Sequence, residues 1–344
     1  MFELCQKFRS TCRGLASAIG IIQKMKRSEK IKVGVVGVGY LGSIHARIYS
    51  RMPDVVLVGV VDVDAGAAKR VADEVKCEVL ESVEALSDRV DAVSIVVPTS
   101  LHREVSEPFL KEKIPVLLEK PVAHTIEDAE AITSLARTKD TLLQIGHLER
   151  FNAGVIRLAQ ELTSPRFIEV HRLGTFTTRA TDVDVVTDLM IHDIDIVLSL
   201  VPSELRYVSA VGARAVTEHV DIANARLEFE NGAIANVTAS RISAKKFRRI
   251  RVFSDSSYLA LNFEDQQIDI SKPGPKTGES EFAPIVSDSI AVEQKPPLDA
   301  ELEDFIACVR SGRAPVVSGE AGLRALRVAH EVGQRIDESL LFKD

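Results

Sequence analysis

The chain has 344 residues, enough for two domains, and it is 45% hydrophobic and 27% charged, as most globular proteins are. Its formal net charge of −7 gives no general attraction to nucleic acid or to an acidic membrane surface, and no apolar stretch is long enough to span a bilayer. The cysteines are far apart in the sequence and match no metal-binding or redox spacing: Cys5, Cys12, Cys77 and Cys308. We therefore expect reduced thiols and a cytoplasmic protein.

The first 30 residues differ in composition from the rest, and we expect them to lie outside the fold. Residues 14–22 are apolar, but they sit between Arg13 and Lys24, and no small-residue cleavage site follows. The pattern therefore predicts no signal peptide. We expect an upstream extension that the fold can lose, with Met25 just ahead of the first strand. The alternative is a weak amphipathic helix used for docking.

Residues 31–62 carry the pattern around which the rest of the chain is organised. An apolar run at 33–36 ends in Gly37-Val38-Gly39-Tyr40-Leu41-Gly42, a helical stretch follows, and a second apolar run ends on Asp62. Strand, glycine turn, helix, strand and a following acid are typical of a dinucleotide site. The first glycine permits the turn, the second admits the pyrophosphate, and the third lets the helix pack closely, while the helix N-terminus attracts phosphate.

The acid at the end of the second strand predicts which dinucleotide is bound. Asp62 can accept hydrogen bonds from the ribose hydroxyls of the adenosine, and its charge would repel a 2′-phosphate. Val63 and Asp64, which follow it, provide no arginine to receive such a phosphate. We therefore predict NAD rather than NADP.

Helices and strands alternate as far as residue 148, which predicts a parallel sheet covered on both faces. Helical patterns cover 67–75, 100–111 and 126–137, and strand patterns cover 91–97, 116–118 and 141–145. Ligands of such sheets bind beyond the carboxyl ends of the strands. The candidates for cofactor contacts are therefore Gly37, Gly39, Tyr40, Leu41, Gly42, Asp62, Pro98, Thr99, His102, Glu119 and Lys120, with Gly146 and His147 at a further strand end.

From residue 149 the pattern changes to short strands with short connections, which predicts an α+β domain with a mostly antiparallel sheet. Strand patterns cover 206–216, 222–230, 233–240, 249–254 and 267–271, and Asn231-Gly232 is a strong hairpin signal. Helices are predicted at 152–162, 185–200, 298–312 and 320–339, and a long loop at 273–297. We divide the chain into the extension (1–30), a dinucleotide-binding domain (31–148), and a domain for substrate binding and oligomerisation (149–344), whose last helix could pack back on the first domain.

Two groups of residues are candidates for the chemistry. Lys120, between Glu119 and Pro121 at a strand end, would point into the cleft beside the nicotinamide, and the proline could be cis. The alternative for Lys120 is a solvated surface position. In the helix at 185–200 one stripe is polar, and the opposite stripe would face the core. The polar stripe holds Asp188, His192, Asp195 and Ser199, and the apolar one holds Met190, Ile194, Val197 and Val201.

The polar stripe has two interpretations. A histidine one turn from an aspartate is typical of an acid–base pair, whereas most polar stripes are only solvated. Asp188 and His192 could also supply two metal ligands, but no third ligand is evident, so we predict no metal.

Basic residues near this helix are candidates for binding an anionic substrate. Arginine forms paired hydrogen bonds with phosphate oxygens, although any one arginine is more often solvated. The set is Arg150, Arg172 and Arg179, with Asn152. A second basic cluster, interpreted as a solvated strand edge or a subunit contact, is Lys245, Lys246, Arg248, Arg249 and Arg251.

Together these segments resemble the Gfo/Idh/MocA family of oxidoreductases over residues 31 to 340. The resemblance rests on the glycine turn, on Glu119-Lys120-Pro121, on Asp188 and His192, and on the closing segment 298–322. It implies an α/β fold: an N-terminal Rossmann domain and a C-terminal α+β domain whose large, open sheet builds dimers or tetramers. It also implies that Lys120, Asp188 and His192 line the site where a sugar or cyclitol hydroxyl meets the nicotinamide.

Within the family, residues 146–152 and 188–195 are most similar to members that oxidise C3 of a UDP-linked N-acetylhexosamine, although Ala153 departs from the proline expected there. Those members feed 3-amino-sugar synthesis for surface glycans through a PLP-dependent aminotransferase. The resemblance then implies that His192 or Lys120 takes the hydroxyl proton and that Asp188 orients the histidine. It adds Lys120 to the residues that bind the substrate, with Asp188 and His192. The alternatives are a dehydrogenase of a free sugar, inositol or sugar acid, and a non-catalytic NAD(H)-binding regulator.

Overall fold

The computed structural model of the chain describes residues 29–177, 183–276 and 282–341. The expectations for the first 28 residues and for Arg179 lie outside the described residues. Within them, two sheets with their helices account for almost all of the regular structure.

The first sheet has six parallel strands, with a helix between each pair of successive strands. Its elements are β1 (Ile31–Val36), α1 (Tyr40–Arg51), β2 (Val55–Val61), α2 (Ala65–Val75), β3 (Glu78–Val79), α3 (Val83–Ser87), β4 (Ala92–Ile95), α4 (His102–Lys111), β5 (Val116–Glu119), α5 (Ile126–Lys139) and β6 (Leu143–Gly146). Single 3-10 turns, Thr99–Leu101 and Leu148–Phe151, follow β4 and β6. The apolar runs predicted as strands form because both faces of this sheet are buried.

The strand order is β3-β2-β1-β4-β5-β6, the doubly wound order of a Rossmann domain. The order reverses between β1 and β4, so a crevice opens at the carboxyl ends of these two strands. The glycine turn after β1 and the segment after β4 therefore lie side by side, and the end of β5 comes next. This edge brings together the predicted contacts from four separate strand ends.

The second sheet has eight strands in the order β14-β13-β12-β11-β7-β10-β9-β8, all antiparallel except for the pair β7 and β10. Its strands are β7 (Pro165–Leu173), β8 (Leu205–Ala213), β9 (Ile222–Phe229), β10 (Ile234–Ser240), β11 (Phe247–Ser254), β12 (Tyr258–Asn262), β13 (Gln267–Pro273) and β14 (Ile285–Ile290). The helices are α6 (Ala153–Glu161), α7 (Ile191–Leu200), α8 (Pro297–Ser311) and α9 (Gly319–Leu340), and one π-helical turn, Val186–Met190, precedes α7.

Three of these strands were not predicted from the sequence. They are β7, β12 and β14, and β14 lies in the segment expected to be a long loop. The central strand β7 is half apolar: Ile168 and Val170 are buried, while Glu169 and His171 lie on the other, half-exposed face. The structure thus corrects the loop expected at 273–297.

The last two helices return to the first sheet. Leu302, Phe305 and Ile306 of α8 pack into the same apolar cluster as β1 and α1. The carbonyl of Val317, just before α9, accepts a hydrogen bond of 3.0 Å from the Ile145 amide. The cleft between the two halves is therefore backed by helices that contact the parallel sheet.

A buried ion pair holds the segment that leads into α7. Asp221 is fully buried, and its Oδ2 accepts three backbone N–H bonds of 2.7 to 2.9 Å, from Ala215, Val216 and Thr217. Arg241 donates from Nε to Asp221 Oδ1 at 3.0 Å and from Nη2 to the Val183 carbonyl at 2.7 Å. Burial alone would raise the pKa of Asp221, but these hydrogen bonds lower it well below its usual range.

We expect Asp221→Ala to lower the free energy of unfolding by about 3–5 kcal/mol, because it leaves a buried guanidinium without its carboxylate. The lowered native pKa means that this stabilisation is present at neutral pH and is lost as the pH falls through the native value. Urea unfolding at pH 7 measures the change. The matched control is Asp255→Ala, whose pair with Arg166 at 3.0 Å is exposed and should contribute about 0–1 kcal/mol. Equal losses in both variants would contradict the prediction.

Candidate active site

The glycine turn leaves an open space on one side. Gly37 has a φ of +84°, and a Cβ there would lie 2.4 Å from the Val96 carbonyl oxygen. A Cβ on Gly42 would lie 1.9 Å from the Gly37 carbonyl oxygen, so the helix packs on the turn through Gly42. A Cβ on Gly39, in contrast, would meet no described atom within 4 Å. The turn therefore has the space that a pyrophosphate needs, at the glycine where the pattern predicts it.

Two further features of the turn suit a dinucleotide. No side-chain hydrogen bond among the described residues caps the N-terminus of α1, and the partial positive charge of a helix N-terminus attracts an anion. Asp62 accepts hydrogen bonds from the backbone N–H of Val38 at 2.6 Å and of Asp64 at 2.8 Å. These bonds hold its carboxylate directly beside the turn, where a ribose would lie. The residues fit NAD, with Tyr40 and Leu41 as the first residues of the helix.

Two of the predicted cofactor contacts lie at the end of β4. Pro98 and Thr99 begin the 3-10 turn that follows this strand, next to the glycine turn. His102 is different, because its ring is buried and its two nitrogens lie 3.1 Å from the Val97 carbonyl and 3.0 Å from the Pro121 carbonyl. The ring of His102 thus joins the ends of β4 and β5.

The end of β5 places a carboxylate and an ammonium in the crevice. Glu119 is buried, and its Oε1 lies 3.3 Å from Nε2 of His45. The peptide bond between Lys120 and Pro121 is cis. Lys120 Nζ donates to the carbonyl oxygen of Asp188 at 2.8 Å and lies 3.6 Å from its Oδ1. Burial lowers the pKa of Lys120, although Asp188 and Glu119 oppose that effect.

The middle of the predicted polar stripe is enclosed, whereas Ser199 at its far end is exposed. His192 and Asp195 are 9% and 2% exposed, and α7 is buried on nearly every side. Asp188 is in the π-helical turn before α7, so Lys120, Asp188 and His192 meet at one place. Burial lowers the pKa of His192 well below its usual range, and the charges of Lys120 and Arg172 lower it further. His192 is therefore neutral at pH 7 and can accept a proton.

Arg172 does not point freely into the cleft. It is buried, and it donates from Nε and Nη2 to the two carboxylate oxygens of Asp193, at 2.8 and 2.7 Å. Its Nη1 also donates to Glu149 at 3.3 Å, and Arg248 pairs with the same carboxylate. The diphosphate contact expected for Arg172 would require breaking these buried pairs. Its positive charge nevertheless acts on His192.

The other two predicted substrate contacts are engaged as well. Arg150 Nη1 lies 3.4 Å from Asp195 Oδ1, and its side chain lines a cavity of about 700 Å³ between α6 and α8. Asn152 Oδ1 caps α6 by accepting hydrogen bonds from the backbone N–H of Gly154 and Val155. The structure thus brings Lys120, Asp188 and His192 together, whereas Arg150, Arg172 and Asn152 hold the surrounding elements in place.

Sequence reasoning missed cations at the edge of the site. Arg248 pairs with Arg172 in the strand register, and its charge lowers the pKa of His192, although it was interpreted as a solvated edge. The loop before it carries Lys245 and Lys246, which are exposed and form no ion pair with a described residue. Ser243 of this loop donates to the Gly174 carbonyl at the end of β7. The position of this loop could have been predicted only from the register of β7, a strand that the sequence pattern did not predict.

We expect Gly39→Ala to affect cofactor binding and Gly42→Ala to affect stability. Gly39→Ala should leave thermal stability unchanged, because its Cβ meets no described atom, but should weaken NADH binding by about tenfold or more, or roughly 1.4 kcal/mol. Gly42→Ala should lower the free energy of unfolding by about 1–3 kcal/mol, because its Cβ collides with backbone. Thermal unfolding and NADH fluorescence, undisturbed by tryptophan since the chain has none, measure both. An unchanged NADH affinity in Gly39→Ala would place the pyrophosphate elsewhere.

No cluster of three or more His, Cys, Asp or Glu side chains among the described residues could hold a metal ion. None of the described helices combines the length and apolar character that crossing a membrane requires.

Comparison with known proteins identifies the family. The Gfo/Idh/MocA model described as an oxidoreductase family with an NAD-binding Rossmann fold matches residues 31–147, and the model of a Gfo/Idh/MocA C-terminal domain matches residues 145–259. The UDP-N-acetylglucosamine 3-dehydrogenase of Acidithiobacillus ferrooxidans is 37% identical over 311 residues, which are 90% of this chain and 98% of that protein. Its solved structure superposes with a TM-score of 0.85 at 36% identity, covering 90% of this chain and 98% of that one.

A second relative has a different named substrate. The inositol 2-dehydrogenase of Rhizobium meliloti is 27% identical over 328 residues, which are 90% of this chain and 97% of that protein. Both relatives are similar to this chain over nearly their whole length, and both domain models match it in the expected order. The chain therefore belongs to the Gfo/Idh/MocA family of oxidoreductases and has its NAD-binding Rossmann fold.

Proposed function

We propose that this NAD-dependent oxidoreductase oxidises C3 of UDP-N-acetylglucosamine, or of a closely related nucleotide sugar, to a ketone. The observation that carries the proposal is the cluster of Lys120, Asp188 and His192 at the carboxyl end of β5, beside the crevice of the glycine turn. The 37% identical dehydrogenase of Acidithiobacillus ferrooxidans, which acts on UDP-N-acetylglucosamine, supports this choice of substrate.

The three side chains have complementary roles in this reaction. His192, neutral at pH 7, accepts the proton of the sugar hydroxyl. The ammonium of Lys120 holds the same oxygen and stabilises the negative charge that develops on it. Asp188, 3.6 Å from Lys120, keeps the ammonium in place. Bound NAD supplies the acceptor for the hydride that leaves the carbinol carbon.

Burial prepares these groups for the reaction. An imidazole that were already protonated could not take the hydroxyl proton, and nearby cations keep His192 unprotonated. Lys120 has a partner in the carbonyl of Asp188, so its ammonium stays in the cleft. The enclosed site also strengthens each electrostatic interaction, since little water screens it.

A nucleotide sugar brings a diphosphate, whose charge needs cationic partners. Arg172 and Arg150 are engaged in carboxylate pairs, so we assign the diphosphate to Lys245, Lys246 and Arg179. The two lysines are exposed on the loop that hydrogen-bonds to the end of β7. Arg179 follows the same strand in sequence, between β7 and the Asp188 turn. The exposed Lys245 and Lys246 suit a charged substrate better than an uncharged cyclitol.

The proposed function also suggests an oligomeric state, a downstream enzyme and a cellular location. The half-exposed face of the second sheet, where the ring of Phe253 contacts those of Phe167 and Tyr258, suits pairing with a second copy as a homodimer or homotetramer. The 3-keto product suits a PLP-dependent aminotransferase that makes a 3-amino sugar. We place this chemistry in the cytoplasm, where nucleotide sugars are made.

The second candidate is the oxidation of an uncharged sugar, inositol or sugar acid, which the inositol dehydrogenase relative favours. A non-catalytic NAD(H)-binding regulator has weaker support, because it would not need a buried lysine and a neutral histidine at one point.

We expect His192→Ala and Lys120→Ala to lower kcat by about two to four powers of ten, as removal of a proton acceptor or an electrostatic partner does. The affinity for NADH should be retained, because neither residue belongs to the glycine turn. In the wild type the acidic limb of kcat/KM should lie below pH 6.5, since His192 must be unprotonated and its pKa is lowered. The alkaline limb should lie below pH 10.5, since Lys120 must be charged and its pKa is lowered too. Near wild-type turnover in either variant would remove that residue from the catalytic set.

We expect the double change Lys245→Ala with Lys246→Ala, and separately Arg179→Ala, to raise KM for UDP-N-acetylglucosamine about tenfold or more, with KM for NAD unchanged. UDP alone should compete with the sugar substrate and not with NAD. Initial rates of NADH formation, coupled to an aminotransferase and glutamate, measure both.

The matched control is Lys111→Ala with Lys113→Ala, at the amino-terminal edge of the parallel sheet, which should change neither KM. Arg172→Ala should instead lower the free energy of unfolding, because it breaks buried pairs. If UDP neither binds nor inhibits while inositol or a free sugar is oxidised readily, the second candidate function replaces the first.

A further inference from the structure

A second histidine lies behind the proposed proton acceptor. His147, in the segment between β6 and the following 3-10 turn, is 1% exposed. Its ring is edge-on to the ring of His192, with centroids 6.1 Å apart and planes at 85°. Neither of its nitrogens has a hydrogen-bond partner among the described residues. Buried polar atoms without partners are rare in folded proteins, and each one calls for an explanation.

Four orphaned atoms lie together at this place. They are Nδ1 of His192, Nδ1 and Nε2 of His147, and Oδ2 of Asp195. Asp195 is one turn after His192 on the same face of α7, and its charge is the strongest influence that raises the pKa of His147. These four atoms are the number that two hydrogen bonds need, one between the two histidines and one between His147 and Asp195.

We propose that His147 and Asp195 form a hydrogen-bonded chain with His192 and hold the catalytic imidazole in the tautomer that can accept the hydroxyl proton. The proposal rests on the role of His192 in the proposed function. His147 and Asp195 are positioning residues, since neither touches the substrate.

The chemistry of the groups gives the chain one direction. The carboxylate of Asp195 only accepts, so the adjacent nitrogen of His147 must carry a hydrogen. Burial lowers the pKa of His147, so its ring is neutral at pH 7 and its other nitrogen is an acceptor. That acceptor takes the N–H of His192 Nδ1, and Nε2 of His192 then has its lone pair free for the substrate. The proton from the hydroxyl is bound at Nε2, while Nδ1 keeps its own.

The hydrogen-bonded chain from His192 to Asp195 also offsets the repulsion between a protonated His192 and the cations around it. Once His192 is protonated, the imidazolium faces Lys120, Arg172 and Arg248, which all disfavour it. The carboxylate of Asp188 lies 3.6 Å from the ammonium of Lys120. On the buried side, the chain to Asp195 is the way in which the imidazolium can share a negative charge. Arg150, at 3.4 Å, holds the other oxygen of that carboxylate.

No direct hydrogen bond joins the two rings in the structure. Hydrogen bonds of catalytic groups are often long until the substrate binds, and one water can also bridge two such nitrogens. The edge-to-face contact already brings the rings together in a site from which other partners are absent among the described residues. A small rotation of either ring upon substrate binding therefore completes the chain.

The test uses His147→Phe, Asp195→Asn and the double variant of the full chain. Phenylalanine keeps the ring contact and removes both nitrogens, while asparagine keeps the shape of the aspartate and offers an N–H where an acceptor is needed. We expect each single change to lower kcat about 100-fold, with KM for the sugar and the affinity for NADH unchanged. The double variant should be no slower than the slower single one, because one break already disconnects the chain.

The pH profile separates positioning from packing. In Asp195→Asn the imidazolium loses the carboxylate charge to which the hydrogen bonds connect it, so the pKa of His192 falls further and the acidic limb of kcat/KM moves to lower pH. The matched control is Ser199→Ala, one turn beyond Asp195, whose hydroxyl donates to the Ile196 carbonyl. It should change neither kcat nor the profile, and thermal unfolding with NADH fluorescence verifies that every variant is folded.

Two results would overturn the proposal. One is a kcat for folded Asp195→Asn or His147→Phe within about twofold of the wild type, and the other is a multiplicative loss in the double variant with an unmoved acidic limb. The rate of the wild type on UDP-N-acetylglucosamine tests the proposed function. The ratio of variant to wild type, on whichever sugar the enzyme oxidises, tests the chain, so the two can fail separately.

Discussion

The active site depends on one contact across the cleft, between the ammonium of Lys120 and the main-chain oxygen of Asp188. The lysine is at the end of a strand of the parallel sheet, and the aspartate is in the helical turn before α7. Because the ammonium is largely buried, the carbonyl at 2.8 Å and the carboxylate at 3.6 Å must offset its lost hydration. The contact thus joins the NAD-binding half of the chain to the half that carries His192.

Around this contact, burial and charge together keep His192 neutral. Burial is the largest influence that lowers the pKa of its imidazole, and the charges of Lys120, Arg172 and Arg248 lower it further. Arg172 can be buried beside it only because Asp193 and Glu149 neutralise it, and these same pairs fix β7 to α7. The same ion pairs therefore contribute both to the packing of α7 and to the protonation state of His192. A change in the pairs would alter both the packing of α7 and the protonation of its histidine.

The sequence predicts best those site residues whose role depends on neighbours close to them along the chain. Gly37, Gly42 and Asp62 act through the turn and strand ends next to them, so spacing alone places them. The sequence pattern did not predict the central strand β7, because Arg172 occupies an inward position. Alternation with Ile168 and Val170 would require an apolar residue there. The partners of this arginine lie about 20 residues away on either side, and only the packing of β7 against α7 brings them within hydrogen-bond distance.

Beneath the crevice, the cost of burying charge produces the opposite outcome from that at Lys120. Glu301 of α8 is fully buried, and neither of its carboxyl oxygens has a partner among the described residues. Burial and the nearby Glu119 raise its pKa well above the usual range, which favours the protonated, neutral form. Lys120 keeps its charge through contact with an oxygen, whereas Glu301 gives up its charge by binding a proton. His192 belongs with Glu301 in this respect, because a buried group that meets no opposite charge takes its neutral form, and for an imidazole the neutral form is the base.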